Sequence, residues 1–545
     1  MFVRVHFWFP MLENPTLDFL QQILTDAAWP RFVLLLRWGF LIGLTWLLFR
    51  VRRESWKGLG DKSRPWMSRM WGFWLLLVFG LIGFRQAQWQ LIGRRNEQFV
   101  SFMQRYDRRE FNPAHRVRAG KILDRKGRVL ADSRVTDQGL RRLYPYGPIM
   151  GHAIGYNHPL YGLTGLEAAA RKTLLGKELE SREDWEALGA ELLHREKYVE
   201  GPAIRTTLDL GMQRRASELL GDRRGAVVVM EVKTGAILTL VSHPDYDPNR
   251  LYAGLFSGKS PDSPLLNRAL AGQYPPGSVF KVLIAAAALQ NGFTGTLDTP
   301  PEGFTTSVAN PRIRDHEYYS AKEKGEIWRG HGRLDLGEAL VSSSNVFFAQ
   351  LGVQTGSENL WRACEAAGLT RSFYLWQGDE PTLQVKAAKI PNLRDSAPYQ
   401  TAQFSIGQGE LLLSPLQVTM ICAGIANQGL VVQPTLNPNA MTQPLGRLCA
   451  PDSAEKLKWM MYNVVQKGTG RGMRMKELAV AAKTGTAQIG GGQASHSWFA
   501  GFAPVSEPRW AFCVLVEQGG YGSATALPIA REVLRSGIKE GWLKP

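Results

Sequence analysis

Two kinds of hydrophobic pattern divide this chain. Phe32 to Phe49 is almost wholly apolar and carries one charge, Arg37. Met70 to Ile92 repeats the pattern, with Arg85 inside it and Arg69 and Arg94-Arg95 at its ends. Each is long enough to cross a hydrocarbon core of about 30 Å as a helix. Beyond them the apolar runs are shorter and broken by turn residues. Ala226-Val227-Val228-Val229-Met230 and Ala236-Ile237-Leu238-Thr239-Leu240-Val241, joined across Lys233-Thr234-Gly235, predict two buried strands and a hairpin turn. Val282 to Leu289 predicts a buried helix, entered through Tyr274-Pro275-Pro276-Gly277, which stops any preceding element. Leu334 to Leu351 is mostly apolar, and Leu478-Ala479-Val480-Ala481-Ala482 reads as a strand. Strands separated by a long helical insertion imply an α/β domain in which an antiparallel sheet is packed by helices.

These patterns set the expected organisation. Residues 1–95 form a membrane anchor with two spans, at about 32–49 and 70–92. Between the spans, Arg50, Arg52, Arg53, Lys57, Lys62, Arg64 and Arg69 face only Glu54 and Asp61, so the positive-inside rule puts that loop in the cytoplasm and both flanking parts outside. Arg37 and Arg85 read either as snorkelling side chains or as pointers to a partner helix. Residues 96–205 make a polar stalk and a small α+β pedestal, with Asp124-Arg125-Lys126-Gly127 as a hairpin turn. Thr206-Thr207-Leu208-Asp209 opens a third domain covering 206–545.

Candidate chemistry sits at three places in that last domain. Ser278-Val279-Phe280-Lys281 places a hydroxyl at a helix N-terminus, where unpaired N–H groups and the dipole favour a developing oxyanion, and an amine three residues on, on the same face. A lysine buried against this apolar helix, near the second cation Lys483, has a depressed pKa and can serve as the base for Ser278. Alone, the pair reads more simply as an N-cap serine and a surface lysine. Ser343-Ser344-Asn345 interrupts the apolar stretch 334–351, where polar groups lower stability unless paired; a capped break between two helices is the alternative. Lys483-Thr484-Gly485-Thr486 continues the strand-like run; alternation sends Lys483 toward Ser343, and Thr484 and Thr486 the other way, toward ligand, while Gly485 lets a substrate backbone approach. Partial copies have local explanations. Ser453 reads as an N-cap, Ser357-Glu358-Asn359 follows a glycine before a helix, Lys233-Thr234-Gly235 is a turn, and Ser536 is a chance match to a short pattern.

The ordered set S-x-x-K, S-x-N, K-T-G is a known pattern of penicillin-binding proteins and class A β-lactamases. The chain resembles the class B penicillin-binding proteins, and the resemblance runs from about Arg116 to the C-terminus. It includes Arg118 to Gly127, Gly162 to Glu167, Gly407 to Pro415 and His496 to Pro504. It implies a penicillin-binding-protein/serine β-lactamase-like transpeptidase domain above a dimerisation-like pedestal. It also implies a membrane-tethered D,D-transpeptidase that cross-links peptidoglycan stem peptides and is acylated by β-lactams. Ser278 is then the nucleophile, Lys281 its base, Ser343 a proton relay and Asn345 a ligand for the substrate's peptide amide. Lys483 serves the site as a cation, and Thr484 and Thr486 take the substrate carboxylate. The N–H groups of Ser278 and Thr486 form the oxyanion hole, a two-donor arrangement worth several kcal/mol in acyl transfer. His496 and Trp498 read as packing residues at the site's edge. The partner implied for the anchor is a SEDS-type glycan polymerase. No cofactor or metal is implied.

Composition adds bounds. A net charge of +17 fits anionic lipid headgroups and wall polymers, and no nucleic-acid motif accompanies it. Cys364, Cys422, Cys449 and Cys513 lack C-x-x-C spacing, which speaks against metal binding, and Cys422 and Cys513 sit in apolar runs as buried thiols. The competing readings are a β-lactamase, a β-lactam-sensing membrane protein and a non-catalytic scaffold. A recognisable deacylation glutamate, a signalling motif in the cytoplasmic loop and vacant catalytic positions would favour them in turn, and the sequence has none of these.

Overall fold

The computed structural model describes Trp74, residues 77–82 and residues 117–543, except 137–138, 177–198, 259, 261, 379–382 and 491. Both apolar stretches assigned to the membrane, and the stalk after them, lie outside the described residues apart from helical positions at 74 and 77–82. Among the described residues no helix is long and apolar enough to cross a membrane.

A five-stranded antiparallel sheet forms the centre of the larger domain. Its strands are β1 (Gly225–Glu231), β2 (Ile237–His243), β3 (Ala481–Ala487), β4 (His496–Ala503) and β5 (Trp510–Val516), in the order β2-β1-β5-β4-β3. The predicted hairpin is β1–β2, with Lys233-Thr234-Gly235 in its turn. The strands read as unbroken apolar runs because both faces are covered. Ala226, Val228 and Met230 enter one core, while Val227 and Val229 enter another beneath helices α1 (Leu210–Leu220) and α7 (Ala526–Lys539). The first core holds α2 (Lys281–Gln290), α3 (Leu336–Ser342), α4 (Asn345–Thr355), α5 (Pro415–Ala426) and α6 (Pro451–Lys467). All three motifs lie at the β3 edge, where the sheet has no further strand among the described residues.

The pedestal carries a four-stranded sheet ordered 139–143, 129–136, 122–123, 204–205, and the hairpin turn falls where the sequence places it. Asp124 is fully buried and accepts from the amides of Lys126 and Arg128 at 2.9 and 2.8 Å. Arg128 bridges Asp124 (2.6 Å) to Asp209 (3.2 Å), and Asp209 caps α1 by accepting from the Gly211 and Met212 amides. One ionic cluster therefore ties the turn at 124–127 to α1, the first helix of the larger domain.

One expectation needs correction. Ser453 is not an N-cap: α6 begins at Pro451 with Ala450 as its cap residue, and Ser453 lies inside the first turn. Pro451 decides this, because its fixed φ and missing N–H suit the first helical position. The four cysteines are free and buried, and burial pushes each thiol pKa up, which leaves them inert.

Candidate active site

Ser278 lies in a 3-10 turn, Gly277–Phe280, that runs directly into α2 at Lys281. The turn is braced from two sides. The Gly277 amide donates to Gly407 O at 2.9 Å, and the Trp498 indole N–H donates to Pro275 O at 3.1 Å. Trp498 is thus a packing residue that also fixes the approach to Ser278, whose own side chain stays partly accessible.

Lys281 has no exposed surface. Its Nζ donates to Ser343 O at 2.6 Å and to Asn345 Oδ1 at 2.7 Å. Burial lowers its pKa to about 7, and outweighs Asp315 and Glu317, whose charges act in the opposite direction. A neutral amine has two N–H groups and one lone pair. With both N–H groups engaged, the lone pair is left to accept a proton.

The second motif is both a helix break and a site. α3 ends at Ser343, which takes the left-handed conformation (φ 63°), and Ser344 caps α4 by accepting from the Phe347 amide at 3.1 Å. The left-handed backbone of a serine costs roughly 1 kcal/mol. It accompanies a Ser343 Oγ that accepts from Lys483 Nζ at 2.7 Å. Sequence reasoning missed the group that organises this loop, Asp315. Its buried carboxylate accepts from Ser344 Oγ (3.0 Å) and from the Asn345 (2.5 Å) and Val346 (3.1 Å) amides at the start of α4. An aspartate at a helix N-terminus is the available signal, yet it lies about thirty residues upstream of that helix. The Asn345 amide is engaged at both ends, Oδ1 accepting from Lys281 and Nδ2 donating to Arg314 O at 3.0 Å. In this structure it holds the Lys281 amine.

β3 presents the third motif with the predicted alternation. Lys483 is fully buried and reaches Ser343; burial first, and Lys281 second, drive its pKa well below the ordinary lysine value. The sequence leads to a cation at this position, and desolvation works against it. On the opposite side Thr484 is only 7% exposed and shares a 2.6 Å hydrogen bond with Thr469 Oγ1. Thr486 Oγ1 accepts from the Gly522 amide at 3.4 Å. Ser278, Lys281, Ser343, Asn345 and Lys483 are therefore gathered on the α2 side of β3, with the hydroxyls of Thr484 and Thr486 on its other side. The partial copies stay away from this edge: Ser536 Oγ bonds Arg215, and Ser357 Oγ pairs with Thr401.

A serine at the mouth of a helix, a buried amine of lowered pKa and a second Lys–Ser pair across an antiparallel sheet edge define a serine acyl-transferase of the penicillin-binding type. The penicillin-binding protein transpeptidase domain matches residues 225–535, and the penicillin-binding protein A dimerisation domain matches 119–191. The chain belongs to the penicillin-binding protein transpeptidase family. Peptidoglycan D,D-transpeptidase PbpA of Mycolicibacterium smegmatis is 32% identical over 461 residues, covering 76% of this chain and 88% of that protein. Peptidoglycan D,D-transpeptidase MrdA of Acinetobacter baumannii is 30% identical over 445 residues, covering 71% and 64%. The structure of penicillin-binding protein A from M. tuberculosis as its penicillin G acyl-enzyme complex superposes with a TM-score of 0.65 at 31% identity, over 77% of this chain and 100% of that one.

Proposed function

We propose that the groups gathered at the β3 edge carry the acyl transfer of a peptidoglycan D,D-transpeptidase. The family and the relatives give the chain that activity, together with acyl-enzyme formation by β-lactams. The observation that carries the assignment of residues is the Lys281 amine, enclosed, near pKa 7, and donating to two acceptors. Lys281 takes the Ser278 proton as Ser278 Oγ attacks the penultimate D-Ala carbonyl of a stem peptide. The N–H groups of Ser278 and Thr486 hold the oxyanion. On collapse the C–N bond breaks, and Ser343 passes a proton to the departing D-Ala amine and is resupplied from the lysines. An amine of a second stem then attacks the ester, a new amide forms, and Ser278 recovers its proton. Asn345 orients Lys281, and Gly485 and the threonines receive the donor strand.

We propose the division into an anchor (1–95), a stalk and pedestal (96–205) and a transpeptidase domain (206–545), with the catalytic domain outside the cytoplasmic membrane. The two apolar stretches and the basic loop between them support that topology. A SEDS-type polymerase is the partner proposed for the anchor. Incubating the purified full chain with nascent glycan strands tests the activity: cross-linked muropeptides that vanish in Ser278→Ala support it, and trimmed but never cross-linked products would make the enzyme a carboxypeptidase.

A further inference from the structure

We propose that Glu517 is a positioning residue for acylation: through the Tyr274 hydroxyl it fixes the arm that carries the Ser278 turn. This rests on the transpeptidase reading above.

Tyr274 stands four residues before Ser278. Its main chain pairs with Leu413 in both directions, its amide donating to Leu413 O at 3.0 Å and its carbonyl accepting from the Leu413 amide at 2.9 Å. Its ring lies edge-on to His496 and Trp498 of β4, at centroid distances of 5.3 and 6.2 Å. Between Tyr274 and the turn come only Pro275 and Pro276, whose rings hold φ at about −65°. So stiff an arm absorbs little displacement. The place of Tyr274 is therefore passed on to Gly277 and Ser278.

Glu517 follows β5 and holds the outer end of the arm. Its Oε1 accepts from the Tyr274 hydroxyl and from Arg268 Nε, both at 2.7 Å, and Arg224 Nε stands 3.2 Å from Oε2. Tyr274 is the donor. Burial first, and the charge of Glu517 second, push the phenol pKa up, so it keeps its proton, and a carboxylate only accepts. The carboxylate is itself pinned. The Glu517 amide donates to Arg224 O at 2.8 Å, and the Gln518 amide donates to His496 Nδ1 at 3.1 Å. Arg268 is 3% exposed and also donates to Asp262 O and Ser263 O. Enclosed ion pairs add little net stability, because desolvation offsets their attraction. What this one supplies is a fixed point for a single hydroxyl.

The test separates binding from chemistry in acylation of the full chain by benzylpenicillin, as the initial dissociation constant and the first-order acylation rate constant. Tyr274→Phe removes the one hydroxyl and leaves Glu517 with both arginines. It should slow the acylation step about ten- to a hundredfold, up to the effect of a misplacement near 1 Å. The initial dissociation constant and the half-maximal pH should stay at wild-type values, since Lys281, Asp315 and Glu317 are untouched. Glu517→Ala should lose the same rate, and Glu517→Gln, which keeps an oxygen for Tyr274, should recover most of it. A protein carrying both Glu517→Ala and Tyr274→Phe should be no slower than either single variant. If Glu517→Ala does not fold, Tyr274→Phe and Glu517→Gln give the comparison. A Tyr274→Phe enzyme with the wild-type acylation rate constant overturns the proposal, whatever its melting temperature. So does a loss that falls on the dissociation constant or shifts the half-maximal pH, because Glu517 would then act on ligand binding or on Lys281. Wild type that does not label at Ser278 sinks the transpeptidase reading and this proposal with it. That outcome is distinct from a labelled wild type beside an unimpaired Tyr274→Phe.

Discussion

Gly485 of the third motif lies directly against Val279 of the first: a Cβ on Gly485 would sit 2.9 Å from Val279 Cγ1 and 3.1 Å from Pro276 O. The absent side chain thus makes room for the turn that carries Ser278. Trp498, whose Cβ is 3.0 Å from the same point, closes the remaining direction.

Gly485→Ala is therefore expected to push the Ser278 turn away from β3. Overpacking of this kind costs about 1–3 kcal/mol of stability. A misplacement near 1 Å slows chemistry on the order of a hundredfold. Penicillin labelling read against a thermal melt checks both, and an alanine enzyme that acylates at the wild-type rate would contradict the contact.

The Lys281 pKa fixes a pH profile. The base acts only when neutral, so acylation should rise with pH, reach half its maximum near pH 7 and level off above it. Lys281→Ala should abolish acylation while the fold survives. A profile flat from pH 5 to 9 would move the proton-accepting role to another group.

Asp315→Asn offers a sharper version. Asp315 raises the Lys281 pKa and holds the start of α4 through its carboxylate. Losing the charge should lower the half-maximal pH of acylation and destabilise the protein by about 1–2 kcal/mol in urea melts, because charge-assisted hydrogen bonds become neutral ones. A half-maximal pH that rises instead would show that Asp315 does not act on Lys281.

Much of the site was legible because its chemistry is encoded at short range. The apolar run after Ser278 announces a buried helix, strand alternation sends Lys483 to Ser343, and paired apolar runs around Lys233-Thr234-Gly235 mark that copy as a turn. The unread parts depend on contacts between distant segments. Asp315 meets Asn345 across thirty residues, Thr469 meets Thr484 across fifteen, and Gly485 meets Val279 across about two hundred. Alternation says which way Thr484 points, and says nothing of the turn that covers it.

Topology has a direct test. Cysteine labelling of Lys57→Cys should succeed only from the cytoplasmic side, because that loop holds the basic excess. Labelling from outside would invert the chain and put the catalytic domain in the wrong compartment, and the function would fail with it.

The last expectation separates transpeptidase from β-lactamase. Hydrolysis of the Ser278 ester needs a base aimed at a water molecule. The carboxylates that act on Lys281 are Asp315 and Glu317. Asp315 already accepts from three groups at the start of α4, and Glu317 faces His331 at 3.7 Å. Asp315 is committed to those bonds, and the pKa of Glu317 is lowered, burial being outweighed by His331, which makes it a weak base, so the penicilloyl-enzyme should persist for many minutes or longer. A β-lactamase turns over at a typical enzymatic rate, on the order of 10 per second. Release of hydrolysed penicillin should therefore stop after one equivalent per protein. Sustained release at the faster rate would mean that a carboxylate leaves its partners on acylation, and the enzyme would then destroy the drug rather than be trapped by it.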